Sequence, residues 1–263
     1  MKYLPLHHNF AGRRCLVVGG GEVALKRARR VIGAGGRVDV IAPVIGDALA
    51  QLIAEHGGEL ATRDYADGDV ENVADDDVGN VADDDSHNND SRNRYALVVA
   101  ATDQRAVNRR VAAEAARCGV PVNVADDAKL CDVVFPLAID RDPITITVAS
   151  GAASPTLTRL LGDRIDALIP SAYGELARLV GRFRRRAQTD IPDTAERIRF
   201  WENILQGVVA EQVLSGNVAD AEALLEQALR APRAAGGKVC LIRASPDDPN
   251  FLPLHAARLF PRA

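Results

Sequence analysis

Three groups of residues in this chain have types and spacings suited to chemistry. The first is the apolar run Cys15-Leu16-Val17-Val18, followed at once by Gly19-Gly20-Gly21-Glu22-Val23-Ala24. Such a run reads as a parallel strand buried on both faces. The pattern Gly19-x-Gly21-x-x-Ala24 is the small-residue turn that lets a backbone approach a pyrophosphate and lets a helix pack closely on a sheet. Free N–H groups at the helix start hold phosphates, so the expected chemistry is dinucleotide binding. The second group is Thr102 and Asp103 at the end of YALVVAATD, with Asn123 and Asp126 at the end of VPVNVAD. Ligands meet open α/β sheets at the carboxyl ends of their strands, so these four polar side chains are expected on one edge. The third is the small-residue loop from Ser150 to Ala153, just ahead of a helix start, a shape that admits an anionic group.

The elements that must position these groups follow from periodicity. After the glycine turn, Ala24, Ala28, Val31 and Ile32 recur at helical spacing, Lys26, Arg27, Arg29 and Arg30 fill the other face, and Gly35-Gly36 ends the helix. A second strand is expected over RVDVIAP, residues 37–43. The carboxylate that usually meets the ribose hydroxyls is absent from its end, which reads Ile41-Ala42-Pro43, while Asp39 lies inside the strand. That rule therefore leaves NAD and NADP both open. VVFPLAID and ITITVAS, joined by a turn at Arg141 to Pro143, alternate as antiparallel strands do. Ser154 is placed to cap the next helix, Pro155 to open it, and Leu157, Leu160, Leu161, Ile165 and Leu168 to form its apolar face. Two helical stretches separated near Pro192 are expected beyond Pro170. The first carries Arg178, Arg182, Arg184, Arg185 and Arg186, either as a solvated face or as a surface that attracts a polycarboxylate.

Size and composition narrow the class. A length of 263 residues with 47% apolar content suits a nucleotide-binding domain plus a smaller partner domain. A net charge of −4 implies no nucleic-acid surface, and MKYLPLHHNF lacks the apolar length of a signal peptide or membrane span, so a cytoplasmic location is expected. Cys15, Cys118, Cys131 and Cys240 are scattered, and His7, His8, His56, His87 and His255 form no ligand-spaced set, so no structural metal is expected. Residues 64–90 hold eleven acidic side chains and no Lys or Arg, and include the tandem repeat VENVADDD-VGNVADDD. We expect a disordered acidic insertion over 64–94, a solvated spacer and not a metal store.

In order along residues 3 to 230, YLPL, CLVVGGGEVALKRA, VVAATDQRAVNRRV, PVNVADDAK, ITITVASGAASPTLTRLL and RIRFWE together resemble the N-terminal module of siroheme synthase, a family that includes stand-alone precorrin-2 dehydrogenases with sirohydrochlorin ferrochelatase activity. The acidic insertion departs from that family's shorter link. The resemblance implies siroheme biosynthesis: NAD accepts a hydride from precorrin-2 as a proton leaves, giving sirohydrochlorin, and ferrous iron then enters to give siroheme. Its alternatives are a dehydrogenase without chelation, or a non-catalytic NAD-binding sensor or scaffold. A generic short-chain dehydrogenase is disfavoured because no Tyr-x-x-x-Lys pair follows the parallel strands.

By resemblance, Asp126 stands at the family's catalytic aspartate. A carboxylate there can accept a macrocycle proton and assist loss of pyrrole protons. Strand alternation allows only one of Asp126 and Asp127 to face the site, and the alignment favours Asp126. Ser150 matches a serine beside the tetrapyrrole, and Lys129 a lysine near the same edge; Asn123 joins them as a substrate contact. Gly19, Gly21, Glu22, Val23, Pro43, Val44 and Thr102 form the expected NAD set, and backbone contacts at Pro43 and Val44 would explain the missing acidic residue. The implied assembly is a homodimer whose site forms between the nucleotide domain and the partner's strands. The implied fold is α/β: a Rossmann-type parallel sheet over 1–136, a dimerisation segment over 137–170 and a helical domain over 171–232. The remaining residues, 233–263, resemble the opening of a methyltransferase domain. Their expected glycine-rich loop reads Arg243-Ala244-Ser245-Pro246-Asp247-Asp248 instead, so they are expected to be a remnant that does not methylate.

Overall fold

The structure is a computed structural model that describes residues 3–71, 94–151 and 153–230. The chain divides into two compact units, Met1–Ile169 and Pro170–Ala263. In the first, β1 (Arg14–Val18) leads through the glycine turn into α1 (Glu22–Gly33), then β2 (Arg37–Ile41), α2 (Asp47–Glu55), β3 (Leu60–Ala61), β4 (Leu97–Ala100), α3 (Arg105–Cys118) and β5 (Val122–Val124). The five strands form one parallel sheet in the order β3-β2-β1-β4-β5. This is a Rossmann-type sheet, with its order reversing at β1 so that a crevice opens beyond the carboxyl ends of β1 and β4.

Alternation along the central strands builds a core on each face. Leu16 and Val18 join Val98, Ala100, Val122 and Val124 in the layer that includes Val111 and Ala115 of α3. Cys15 and Val17 join Val38, Val40, Leu97 and Val99 against Ala24, Ala28 and Val31 of α1. Burying each large apolar side chain contributes about 1.5–3 kcal/mol. Cys15 is wholly buried, and desolvation, assisted by the charge of Asp39, pushes its thiol up to about 12. Asp39, the acidic residue inside β2, has a structural role. It accepts from Arg14 Nε at 3.0 Å and from the Glu59 N–H at 3.0 Å, tying β1, β2 and the approach to β3.

The expected insertion over 64–94 starts too early. Residues 64–71 are part of the fold: Tyr65 and Val70 lie in the core, and the buried carboxyl of Glu114 on α3 accepts from the Tyr65 hydroxyl, the Gly68 N–H at 2.9 Å and the Val70 N–H at 3.0 Å. The acidic composition of this stretch masked its two core residues. The rest of the insertion, 72–93, and the expected methyltransferase-like remnant lie outside the described residues.

Strands β6 (Leu137–Arg141) and β7 (Ile144–Val148) pair antiparallel, as their alternation predicts. Helix α4 (Pro155–Leu168) starts as read: the Ser154 hydroxyl accepts from the Leu157 N–H at 3.2 Å, with Pro155 first in the helix. Among the described residues its apolar face is uncovered, since Leu157, Leu160, Leu161 and Leu168 are all exposed. Gly162, in contrast, packs on Leu137 of β6.

The second unit holds α5 (Ala172–Asp190), α6 (Thr194–Gln206), α7 (Val208–Leu214) and α8 (Val218–Arg230) around a core that includes Leu179, Phe183, Ile204 and Leu225. The sequence pattern suggests two helical stretches here; Gly207 and the Ser215–Asn217 link divide the second into three. Three arginines of α5 are engaged with acidic side chains of the same unit: Arg178 with Glu175, Arg182 with Glu222, and Arg186 with Asp190 and Glu226. Among the described residues no helix is long and apolar enough to cross a membrane.

Candidate functional site

The glycine turn is built for a close visitor. Gly19 has φ 129°, and a Cβ there would collide with the Ala101 carbonyl. A Cβ on Gly20 would collide with the Val44 carbonyl, while the Gly46 N–H donates to Gly20 O at 3.0 Å. The middle glycine, left unspecified by the sequence pattern, is therefore constrained by the 44–46 loop. Around a Cβ on Gly21 nothing lies within 4 Å, and Gly21 begins α1 with no side-chain cap. Open space in front of an uncapped helix N-terminus fits a pyrophosphate. Glu22 and Val23 form the first turn, and both are exposed, as are Pro43 and Val44 beyond β2. The residues present thus fit a dinucleotide.

Two substitutions separate these roles. Gly20→Ala is expected to overpack the turn by about 1–3 kcal/mol, lowering the melting temperature by roughly 2–10 °C. Gly21→Ala adds its methyl to open space, so thermal melting should be nearly unchanged while titration with NAD reports weaker binding.

Beyond the ends of β4 and β5 lies a cleft of about 260 Å³ lined by Thr102, Asp103, Arg105, Asn108, Asp126 and Asp127, among others. Thr102 is fixed by Asn108, a buried residue of α3 that sequence reading missed. Asn108 Oδ1 accepts from the Thr102 hydroxyl at 2.7 Å and from its N–H at 3.2 Å, and Asn108 Nδ2 donates to the Thr102 carbonyl at 3.0 Å. The available signal was an amide inside a helix, where Asn is unfavourable without a partner.

Strand β5 stops at Val124, so the alternation argument for Asp126 and Asp127 does not apply: both carboxylates line the cleft. The turn distinguishes them. Asp127 Oδ1 accepts from the Lys129 N–H at 3.2 Å, whereas Asp126 is exposed and holds φ 61°, the left-handed region that side chains other than Gly, Asn and Asp seldom enter. Cys131 braces this turn. Its sulfur accepts from the Val124 N–H at 3.2 Å and lies 3.2 Å from the Val124 carbonyl and 3.4 Å from that of Asp127. Spacing alone had left Cys131 without a role.

The other expected substrate residues are placed differently. Asn123 does not present itself at the edge. It alternates with Val122 and Val124 onto the α1 side of the sheet, is 4% exposed, and donates to the Val133 carbonyl at 2.9 Å. Ser150 lies in the loop ahead of α4, where its hydroxyl donates to Ser154 O at 3.2 Å and accepts from the Ser154 N–H at 3.1 Å and the Thr158 hydroxyl at 2.9 Å. Neither Ser150 nor the exposed Lys129 is among the residues lining the cleft. Among the described residues, no three His, Cys, Asp or Glu side chains gather as a metal-binding group.

Comparison with known proteins bears on the family and the fold. The family model "Putative NAD(P)-binding" matches residues 6–137, and the model described as the sirohaem synthase dimerisation region matches residues 172–229. Siroheme synthases of Pseudomonas paraeruginosa and Azotobacter vinelandii are each 43% identical to this chain over 265 residues. The chain belongs to the family of the siroheme synthase N-terminal module. All of the chain is covered in these alignments but only 52% of each relative, so it spans about half the length of the curated siroheme synthases it matches. A solved structure described as SirC, precorrin-2 dehydrogenase, shares the fold at a TM-score of 0.63 and 17% identity, covering 87% of this chain and 100% of that one. Within the siroheme synthase family match, the region described as dimerising falls on the helical segment, beyond the 137–170 stretch to which the sequence reading assigns dimerisation.

Proposed function

We propose that this chain carries out the dehydrogenation step of siroheme biosynthesis, converting precorrin-2 to sirohydrochlorin with NAD, and that it also assists ferrous iron insertion to give siroheme. The observation that carries the reading is Asp126, exposed in a left-handed turn in the cleft beyond β4 and β5, on a sheet whose glycine turn leaves room for a dinucleotide. Family membership and the names of the relatives support it.

Gly19 and Gly21, with the N–H groups of Glu22 and Val23, would hold the pyrophosphate, Pro43 and Val44 the adenosine side, and Thr102 the end nearer the cleft. NAD bound there supplies a hydride acceptor. The substrate loses two hydrogens overall, one as hydride and one as a proton, and Asp126 receives the proton. Asn108 holds Thr102, and Cys131 holds the turn, so that neither polar group must reorganise as charge moves. With the macrocycle oxidised, the same carboxylate accepts pyrrole protons as ferrous iron, a substrate, enters. Ser150 and Lys129 are assigned to substrate carboxylates.

A second copy of the chain is the proposed cover for the exposed leucines of α4, bringing its Ser150 loop toward this cleft in a cytoplasmic homodimer. Leu161→Glu is accordingly expected to shift the sedimentation profile from dimer to monomer and to lower turnover with it. The test of the function is anaerobic incubation of the protein with precorrin-2 and NAD, followed by ferrous iron. NADH and sirohydrochlorin, then siroheme, are the expected products. NAD binding without turnover would instead favour a sensor or scaffold.

A further inference from the structure

One cationic group of α1 is not used by this mechanism and is not among the residues lining the cleft. Arg27 lies in the second turn of α1, about 7 Å along the axis from Glu22, on the face that meets the segment following β5. Its guanidinium carbon sits 4.6 Å from the centroid of the Phe135 ring. Arg30, one turn on, is 5.9 Å from the same ring and is tethered by its bond to the Pro136 carbonyl at 2.9 Å. Among the described residues Arg27 has neither a hydrogen bond nor an ion pair, although it is partly buried. A guanidinium presents five N–H donors in a plane, and stacking one face on a ring leaves its edges free.

The surroundings point to an anion. Burial lowers the Arg27 pKa from its ordinary value and the charge of Arg30 lowers it further, while Cys131 and Asp126 lie close enough to oppose them. A partly desolvated cation beside another cation is unfavourable unless a negative partner arrives. The uncapped α1 N-terminus is already assigned to a phosphate, whereas the segment that carries Phe135 also carries Cys131, whose sulfur braces the Asp126 turn.

We propose that Arg27 is a substrate-binding residue whose guanidinium, seated on Phe135, takes a carboxylate of the tetrapyrrole and so sets the macrocycle against Asp126. The assignment rests on the tetrapyrrole reading above and adds to it the residue that reads the substrate's charge. A cofactor phosphate is the other source of the same chemistry.

Arg27→Gln and Arg27→Lys are compared with the unsubstituted protein, using thermal melting as the folding control. Three quantities are measured: KM and kcat for precorrin-2, Kd for sirohydrochlorin in the absence of turnover, and Kd for NAD. Losing a charge-assisted contact is expected to raise KM and the sirohydrochlorin Kd in Arg27→Gln by about 10–100-fold, with the NAD Kd within twofold of the unsubstituted value. Arg27→Lys should recover part of the loss, because it keeps charge but not the fork. Unchanged sirohydrochlorin binding in a folded Arg27→Gln overturns the inference alone. Weakened NAD binding with unchanged sirohydrochlorin binding overturns it in favour of the phosphate. If the unsubstituted protein binds no sirohydrochlorin, the inference and the tetrapyrrole reading both fail.

Discussion

Asp126→Asn is expected to lower kcat for NADH formation from precorrin-2 by about 10²–10⁴-fold, the scale of a lost general base, with little change in NAD affinity. Asn is the informative replacement because it preserves shape and is one of the few residues that accept φ 61°. Ala at this position would add backbone strain of about 1–3 kcal/mol and confuse a lost base with a displaced turn. Single-turnover absorbance at NADH wavelengths measures the first step, and siroheme formation from supplied sirohydrochlorin measures the second. If one carboxylate serves both, both rates fall together. Retained chelation in Asp126→Asn would assign iron insertion to another group, and retained dehydrogenation would remove Asp126 from the chemistry.

The second large effect concerns stability. Glu114→Ala is expected to cost about 3–5 kcal/mol, because it removes three acceptor contacts and leaves the Tyr65 hydroxyl and two backbone N–H groups without partners in the interior. Burial together with the Glu114 contact holds the Tyr65 hydroxyl far above its ordinary pKa, as expected of a phenol that donates in an apolar site. For a unit of this size the loss corresponds to a melting temperature lower by roughly 6–20 °C. Glu114→Gln, which keeps one acceptor oxygen, should lose less. Equal melting of Glu114→Ala and the unsubstituted protein would mean that residues 65–70 are not held by this carboxyl.

What could be read from the sequence was local. Residues 13–36 place strand, turn and helix in direct succession, so their pattern is complete within one window, and the same holds for the Ser154-Pro155 helix start. Asp126 was legible as a polar residue just past an apolar strand, but the means of telling it from Asp127 was not, since that depends on where β5 stops and on a sulfur seven residues beyond Val124. Glu114 looked like one more charge on an amphipathic helix because its partners lie 44 to 49 residues away, inside a stretch whose acidity resembled a spacer. The α4 leucines were legible as an apolar face, yet nothing in a single chain's pattern says whether such a face is covered by that chain or by another copy.

The seclusion of Cys15 makes the protein its own stability sensor. A thiol wholly enclosed in β1, with its ionisation pushed up to about 12, offers alkylating reagents neither access nor thiolate in the native state. Its modification must wait for the parallel sheet to open. The rate at which iodoacetamide labels the Cys15 peptide, followed by mass spectrometry, therefore counts excursions of the nucleotide domain's centre, undisturbed by melting elsewhere in the chain. A lesion at Glu114 that destabilises the whole sheet should accelerate that labelling, and one that loosens only the 65–70 segment should leave it at the native pace.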